Sequence, residues 1–196
     1  MRIAVLGAGH IGATLAHAFA AAGHDVAVGS RTPAGRDDGL PVTDVAGALA
    51  GADVAVLAVP GPAVAAVLAE HGAALAGVLV VDAANVIGGG GPAHSRAAVA
   101  EHAPGARYAR AFNTVGFENL RDPHFGADVA DLLVSCTDDD LPVVEALVRA
   151  VGLRPVTLGP DAEDALDDAL RLWFALSRRH GRHLALKVLA DSSPSA

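Results

Sequence analysis

The chain opens with the apolar run Arg2-Ile3-Ala4-Val5-Leu6, passes through Gly7-Ala8-Gly9-His10-Ile11-Gly12, and continues as an alanine-rich stretch that Gly23 stops. A short β-branched run followed by strong helix formers and a closing glycine reads as strand, turn, helix. In that context a GxGxxG spacing has a physical meaning. Gly7 permits the tight turn, Gly9 lets the backbone come close to a ligand, and Gly12 lets the helix pack on the strand. Backbone N–H groups at the positive end of a helix then face outward as a cradle for a pyrophosphate. A chain with 22 glycines can produce such a spacing by chance. The strand before it and the helix after it favour the dinucleotide fingerprint.

The rest of the chain repeats the alternation. We expect a strand over 25–29, a polar loop over 30–41, a short helix capped by Thr43 and Asp44 and ending at 50, and a strand over 53–59. That last run, DVAVLAV, is apolar on both faces, as a central parallel strand must be. A helix over 63–76 leads to a strand over 78–81, and a helix over 92–102 leads to a strand over 107–112, with Gly88–Gly91 as a loose connector. A strand over 131–136, a helix over 139–151 and a strand over 154–158 can join the same sheet. From 161 to 180 runs a long helix, acidic at its start and basic at its end, which complements the helix dipole. A last turn or two follows through 189. The expected fold is α/β, a Rossmann-type doubly wound and mostly parallel sheet with a C-terminal helical extension. Residues 1–160 form the dinucleotide-binding domain, 161–190 a helical segment completing a substrate cleft or a dimer interface, and 191–196 a frayed tail.

At 196 residues there is room for one domain. A hydrophobic fraction of 52% with only 18% charged residues gives that domain enough material for a core. A net charge of −8 repels phosphate backbones and anionic lipid, so neither nucleic acid nor membrane is expected as a partner. Any anion must be held locally. The lone Cys136 forms no internal disulfide and belongs to no metal spacing, which points to a reducing compartment and hence the cytoplasm. The apolar stretch over 54–69 is broken by Pro60-Gly61-Pro62 and is too short to span a bilayer. The opening residues superficially look like a secretory signal, but their spaced glycines and the polar His10 and His17 fit the fingerprint better. There is no phosphate-loop lysine, no HExxH and no GxSxG. His180 and His183 are separated by Gly181, so both read as surface residues and no metal is expected.

The end of the second strand selects among dinucleotides. A binder of NAD normally places an acidic residue there for the ribose hydroxyls, and Gly29-Ser30-Arg31-Thr32 has none. Asp25 lies at the opposite end of that strand. Ser30 and Arg31, with Arg36 nearby, offer a hydroxyl and guanidinium forks suited to a 2′-phosphate, which points to NADP(H). The alternative is that Arg31 is an ordinary solvated loop charge.

With those residues in place, the chain resembles NADPH-dependent reductases of the deazaflavin coenzyme F420. The segments carrying the likeness are MRIAVLGAGHIGATLA, GSR after strand two, AVP at Ala58–Pro60, ARAFNTVGFENL at Ala109–Leu120, DPHFGADVADLLVSCTDDD, and the closing LRLWFAL and HGRHLALKVL. The same domain is also similar to the ferric-reductase module of certain membrane reductases. The resemblance implies that Ala8, Gly9, His10 and Ile11 cradle the pyrophosphate and that Ser30 and Arg31 hold the 2′-phosphate. It implies that Val59, Pro60, Ala84 and Asn85 line the ribose and nicotinamide side. Asn113, Thr114 and Val115 would form the hydride-transfer cleft, with Phe112, Asn113 and Trp173 toward the substrate. The sequence departs from the family pattern at Glu163-Asp164, where relatives tend to carry an arginine, and in a short loop between Arg31 and Thr43.

Hydride transfer between two stacked rings needs position rather than acid–base chemistry, so no catalytic residue is obligatory. A carbonyl or imine reductase needs a proton donor. The single Tyr108 and single Lys187 exclude the Tyr-x-x-x-Lys arrangement, which leaves His10 and His124 as conceivable donors. Three readings follow: hydride transfer between NADPH and a flavin-like acceptor, coenzyme F420 first; NADPH-dependent reduction of another small molecule such as a flavin, a ferric chelate or an imine; or a non-catalytic NADP(H)-binding redox sensor. The basic run Ser177–His183 reads as a solvated helix end or as a dock for an acidic acceptor tail. The apolar stripe Leu166, Leu170, Trp173 and Leu176 suggests a homodimer if the sheet does not fill it.

Overall fold

In the computed structural model, which describes residues 1–33, 39–88 and 90–190, the βα alternation closes into one six-stranded sheet. Its strands are β1 (Arg2–Leu6), β2 (Asp25–Gly29), β3 (Val42–Thr43), β4 (Val54–Leu57), β5 (Leu79–Asp82) and β6 (Arg107–Arg110), in the order β3-β2-β1-β4-β5-β6. Every neighbouring pair is parallel. The order reverses between β1 and β4, and such a switch point opens a crevice beyond the carboxyl ends of the strands. This is the Rossmann-type α/β fold expected from the sequence.

Successive residues of β1 supply opposite faces. Ile3 and Val5 join Leu15 and Phe19 of α1 (His10–Ala21), while Ala4 and Leu6 join Ala48 of α2 (Val45–Leu49) and Leu68 of α3 (Val64–His71). Both faces are dry, which explains why the strands read as continuous apolar runs; each fully buried Leu, Ile or Val contributes roughly 1.5–3 kcal/mol. α1 begins at His10, so Gly12 lies inside the helix rather than before it.

The sheet does not continue past β6. Phe112 adopts φ 70° and turns the chain off the strand line, so the strand ends at Arg110. After α5 (Phe117–Arg121) and a small antiparallel hairpin, β7 (His124–Phe125) with β8 (Asp128–Val129), comes a separate parallel pair. It comprises β9 (Asp131–Val134) and β10 (Arg154–Thr157), linked by α6 (Leu141–Ala150). It meets the main sheet at an antiparallel bridge between Arg110 and Ser135, whose N–H groups reach each other's carbonyls at 2.8 and 3.0 Å.

Two further boundaries differ from expectation. The helix expected over 92–102 is only α4 (Arg96–His102), because carboxylates capture the backbone before it: Asp167 accepts from Ala93 and His94 N–H, and Asp82 from Ser95 N–H. Helix α7 (Glu163–His180) ends at Gly181, which takes φ 83°. Residues 181–190 then run without helix, held by Asp131, which accepts from Val188 N–H at 2.6 Å, and by Leu184 O, which accepts from Trp173 Nε1 at 3.2 Å. The expected frayed tail lies outside the described residues.

The stripe proposed for dimerisation is covered by the chain itself. Leu166, Leu170 and Trp173 are buried and Leu176 is half-buried, so among the described residues most of the stripe is filled by the chain's own core. Among the described residues no helix is long and apolar enough to cross a membrane.

Candidate dinucleotide site

At the carboxyl ends of β1, β2, β4 and β5 lies a cavity of about 540 Å³. Gly7, Ala8, Gly9, His10 and Ile11 line its centre, Ser30 and Arg31 one end, and Val59, Pro60, Ala84 and Asn85 the other. Four separate loops thus bring together the residues that the sequence singled out for the dinucleotide. Gly12 and Arg36 are the exceptions. Gly12 is buried beneath the cavity, and Arg36 lies outside the described residues.

The glycines fit the roles their spacing assigns. Gly7 takes φ 123°, and a side chain there would place its Cβ 2.5 Å from Ala58 O. At Gly12 a Cβ would lie 1.9 Å from Gly7 O, so helix and turn can touch only because it is absent. Gly9 is different: a Cβ there would meet nothing within 4 Å, which leaves its backbone open to an incoming group. Gly9 is also the N-cap of α1 and supplies no side-chain cap. The helix's first turn holds no acidic residue, and Ala13 N–H makes the first intrahelical bond, to Gly9 O. The N–H groups of His10, Ile11 and Gly12 therefore lack intrahelical acceptors, and their partial positive charge favours an anion.

Among the described residues, none lining the cavity is acidic. At its β2 end the buried Ser30 accepts from Thr32 N–H at 3.2 Å through Oγ, which shapes the turn and leaves Arg31 exposed at the rim. Asp25 pairs with Arg2 at the far end of the sheet, 3.1 Å away, and takes no part. A phosphorylated dinucleotide fits this donor set: open amides at the centre, a guanidinium at one end that no carboxylate of the described lining meets, and an amide side chain at the other.

The residues expected to form the hydride-transfer cleft are placed otherwise. Phe112, Asn113, Thr114 and Val115 are all buried, and none lines the cavity. Asn113 stands directly behind it, donating from Nδ2 to Ala84 O and to Asn85 Oδ1, each at 3.1 Å. Trp173 is also core rather than cleft. Its Cζ2 lies 2.8 Å from where a Cβ on Gly116 would be, and the Arg182 guanidinium covers its ring at 5.1 Å. Of the two histidines considered as proton donors, His10 lines the cavity and lies 5.5 Å from the Phe117 ring. His124 pairs with Asp122 at the surface. Tyr108 donates to Asp82 at 2.8 Å, and burial followed by the adjacent Asp82 charge pushes its phenol up well beyond the usual range. It is a fixed donor, not an acid.

Sequence reasoning missed the group beneath Asn85. Arg110, Asp82 and Asp167 are completely buried, with Arg110 Nη1 3.1 Å from Asp82 Oδ2 and Nη2 2.7 Å from Asp167 Oδ1. Arg110 also donates to Ala84 O at 3.1 Å and to Asn85 Oδ1 at 3.0 Å. The available signal was a charge at the carboxyl end of each of two strands, in LVVD and RYAR.

A nucleotide-binding fold with an anion cradle at its switch point defines the class. Residues 2–86 match the family model of coenzyme F420-dependent NADP oxidoreductases, which covers β1 through the loop after β5. A crystal structure assigned to an F420-dependent NADP-reductase of Arthrobacter sp. FB24 is similar at 25% identity, with a TM-score of 0.84 over 97% of this chain and 100% of that one. A reductive aminase from Aspergillus terreus in complex with NADPH and ethyl levulinate is similar at 25% identity and a TM-score of 0.70, over 89% of this chain. The imine reductase of Streptomyces aurantiacus, at 21% identity and a TM-score of 0.71, shares the fold. This chain spans 60% of the length of each of these last two. No curated protein matches the sequence. The resemblance read from the sequence, to NADP-dependent oxidoreductases of the F420 type, is the one these comparisons return.

Proposed function

We propose that this protein transfers hydride between NADP(H) and a flat, flavin-like acceptor, with coenzyme F420 as that acceptor. The observation that carries the reading is the cavity itself, which joins the open amides of α1 to Arg31 at one end and Asn85 at the other, with no carboxylate among the described residues that line it. In this reading the α1 amides hold the pyrophosphate, Ser30 and Arg31 the 2′-phosphate, and Val59, Pro60, Ala84 and Asn85 the nicotinamide half. When bound, the nicotinamide supplies the hydride. The protein's own part is to align two rings and exclude water, work that positioning can accomplish without a proton donor.

The acceptor's place in this proposal is the second cavity, of about 240 Å³, which Val86 begins one residue beyond Asn85. Val86, Ile87, Ala93, Leu170 and Phe174 give it apolar walls and Arg171 a guanidinium for an acidic tail. Asn113, Thr114 and Val115 act from behind, as supports for the nicotinamide side. Rapid mixing of the protein with NADPH and oxidised F420 tests the assignment: deazaflavin absorbance is expected to fall as NADPH is consumed, and unchanged absorbance would refute it. The similarity to imine reductases supports a second reading, in which the same bound NADPH reduces an imine. Faster turnover with a cyclic imine than with the deazaflavin would decide for that reading.

A further inference from the structure

Resting on the NADP(H) reading above, we infer that Arg110 is a positioning residue: it locks the Asn85 amide so that Nδ2 faces the cavity and donates to an oxygen of the nicotinamide half of the dinucleotide. The orientation of this amide follows from chemistry alone. Arginine has donors and no acceptor, so the Asn85 atom 3.0 Å from Arg110 Nη2 must be oxygen. Asn113 repeats the constraint. Its Nδ2 also faces Ala84 O, which can only accept, so it must be Nδ2 again that meets Asn85 Oδ1. With its oxygen held from two sides, Asn85 turns Nδ2 away from the core. Asn85 is half-buried on the cavity wall, and among the described residues no protein acceptor meets Nδ2. Its two protons await an acceptor in the cavity.

Arg110 is itself held without slack. Asp82 and Asp167 flank its guanidinium, and each carboxylate is fixed in turn by backbone amides from Ser95, Ala84, Ala93 and His94. Stability alone gives little reason for such a group. Buried ion pairs often contribute no more than apolar residues of equal volume, and here Arg110 Nε and Asn113 Oδ1 remain buried without partners. What the arrangement provides is a rigid amide donor at a defined point of the cavity, joined through Asp167 to α7.

The test compares two ligands on the full chain: NADPH, and adenosine 2′,5′-bisphosphate, which lacks the nicotinamide half. Asn85→Asp keeps an oxygen toward Arg110 but replaces the cavity-facing donor with an acceptor. Arg110→Lys keeps the charge and loses the planar fork. In both variants the bisphosphate is expected to bind within about twofold of wild type, whereas NADPH affinity falls about tenfold or more, the scale of one hydrogen bond in a closed site. If Arg110→Lys does not fold, Asn113→Ala removes the second donor to Asn85 and is expected to lower the same ratio. A wild-type ratio in Asn85→Asp, or in a folded Arg110→Lys, overturns the inference, as does an equal loss for both ligands. Binding of neither ligand by the wild-type protein would instead overturn the NADP(H) reading on which the inference rests.

Discussion

At the end of the cavity proposed for the pyrophosphate the protein presents backbone and little else. Gly7, Gly9 and Gly12 act through side chains they do not have, and the anion cradle consists of amides whose direction is set by α1. At the end proposed for the nicotinamide, the donor we infer is a side chain, Asn85, held in place by a fully buried arginine and two buried carboxylates. The first end is steric and local: its parts lie within six consecutive residues. The second is electrostatic and long-range, joining positions 82, 110 and 167 from three elements. A Rossmann fold can use either device. The difference lies in how each fails, because a wrong side chain in the cradle collides, whereas a lost partner in the clamp strands a charge.

The largest expected effect comes from the clamp. Arg110→Met leaves Asp82 and Asp167 facing each other without their cation, and urea unfolding is expected to show a loss of about 3–5 kcal/mol. A loss below about 1 kcal/mol would mean that the backbone amides alone stabilise both carboxylates. Next is the rim. Arg31 is exposed and touches no core, so Arg31→Ala is expected to leave stability unchanged while weakening NADPH roughly 10–100-fold, with NADH unaffected. Equal weakening of both coenzymes would show that the guanidinium does not read the 2′-phosphate.

Within the cradle the glycines should separate. Gly12→Ala forces a Cβ against Gly7 O and is expected to cost about 1–3 kcal/mol of stability with weakened NADPH binding. Gly9→Ala, at φ −79° and with open space around it, is expected to fold like wild type yet bind NADPH less well, because its methyl occupies the approach to the amides. Identical behaviour of the two variants would contradict the division of roles. The smallest effect concerns Cys136, on neither end. Burial, then nearby acidic charges, pushes its thiol from the ordinary 9.0 up to about 11. The unfolded chain releases that proton first, so its contribution to stability falls as pH rises from 9 through 11. Subtracting the Cys136→Ala curve from wild type should isolate that slope, and parallel curves would remove it.

The same contrast explains what could be read in advance. Gly7 through Gly12, Ser30 and Arg31 were legible because local sequence dictates local backbone, and the fold converts each strand end into a wall of one crevice. The central parallel strands were legible as apolar runs such as VAVL in β4, whereas the place of β9 and β10 outside the main sheet was not. Arg110 was not legible, since nothing local distinguishes a buried arginine from an edge-strand charge until Asp167 arrives from the far end of the chain. The short strands β3, β7 and β8 hold two residues each, too few for any periodicity. Trp173 misled because an aromatic residue in an apolar stripe looks the same whether it fills a core or a substrate cleft.

The central claim is that the cavity takes a dinucleotide bearing a 2′-phosphate. Equilibrium titration of the wild-type protein with NADPH and NADH, followed by nicotinamide fluorescence, tests it most directly. The account predicts saturable binding of NADPH at least about tenfold tighter than NADH, the difference of one charge-assisted contact. Equal affinity for the two, a preference for NADH, or no binding of either would contradict it.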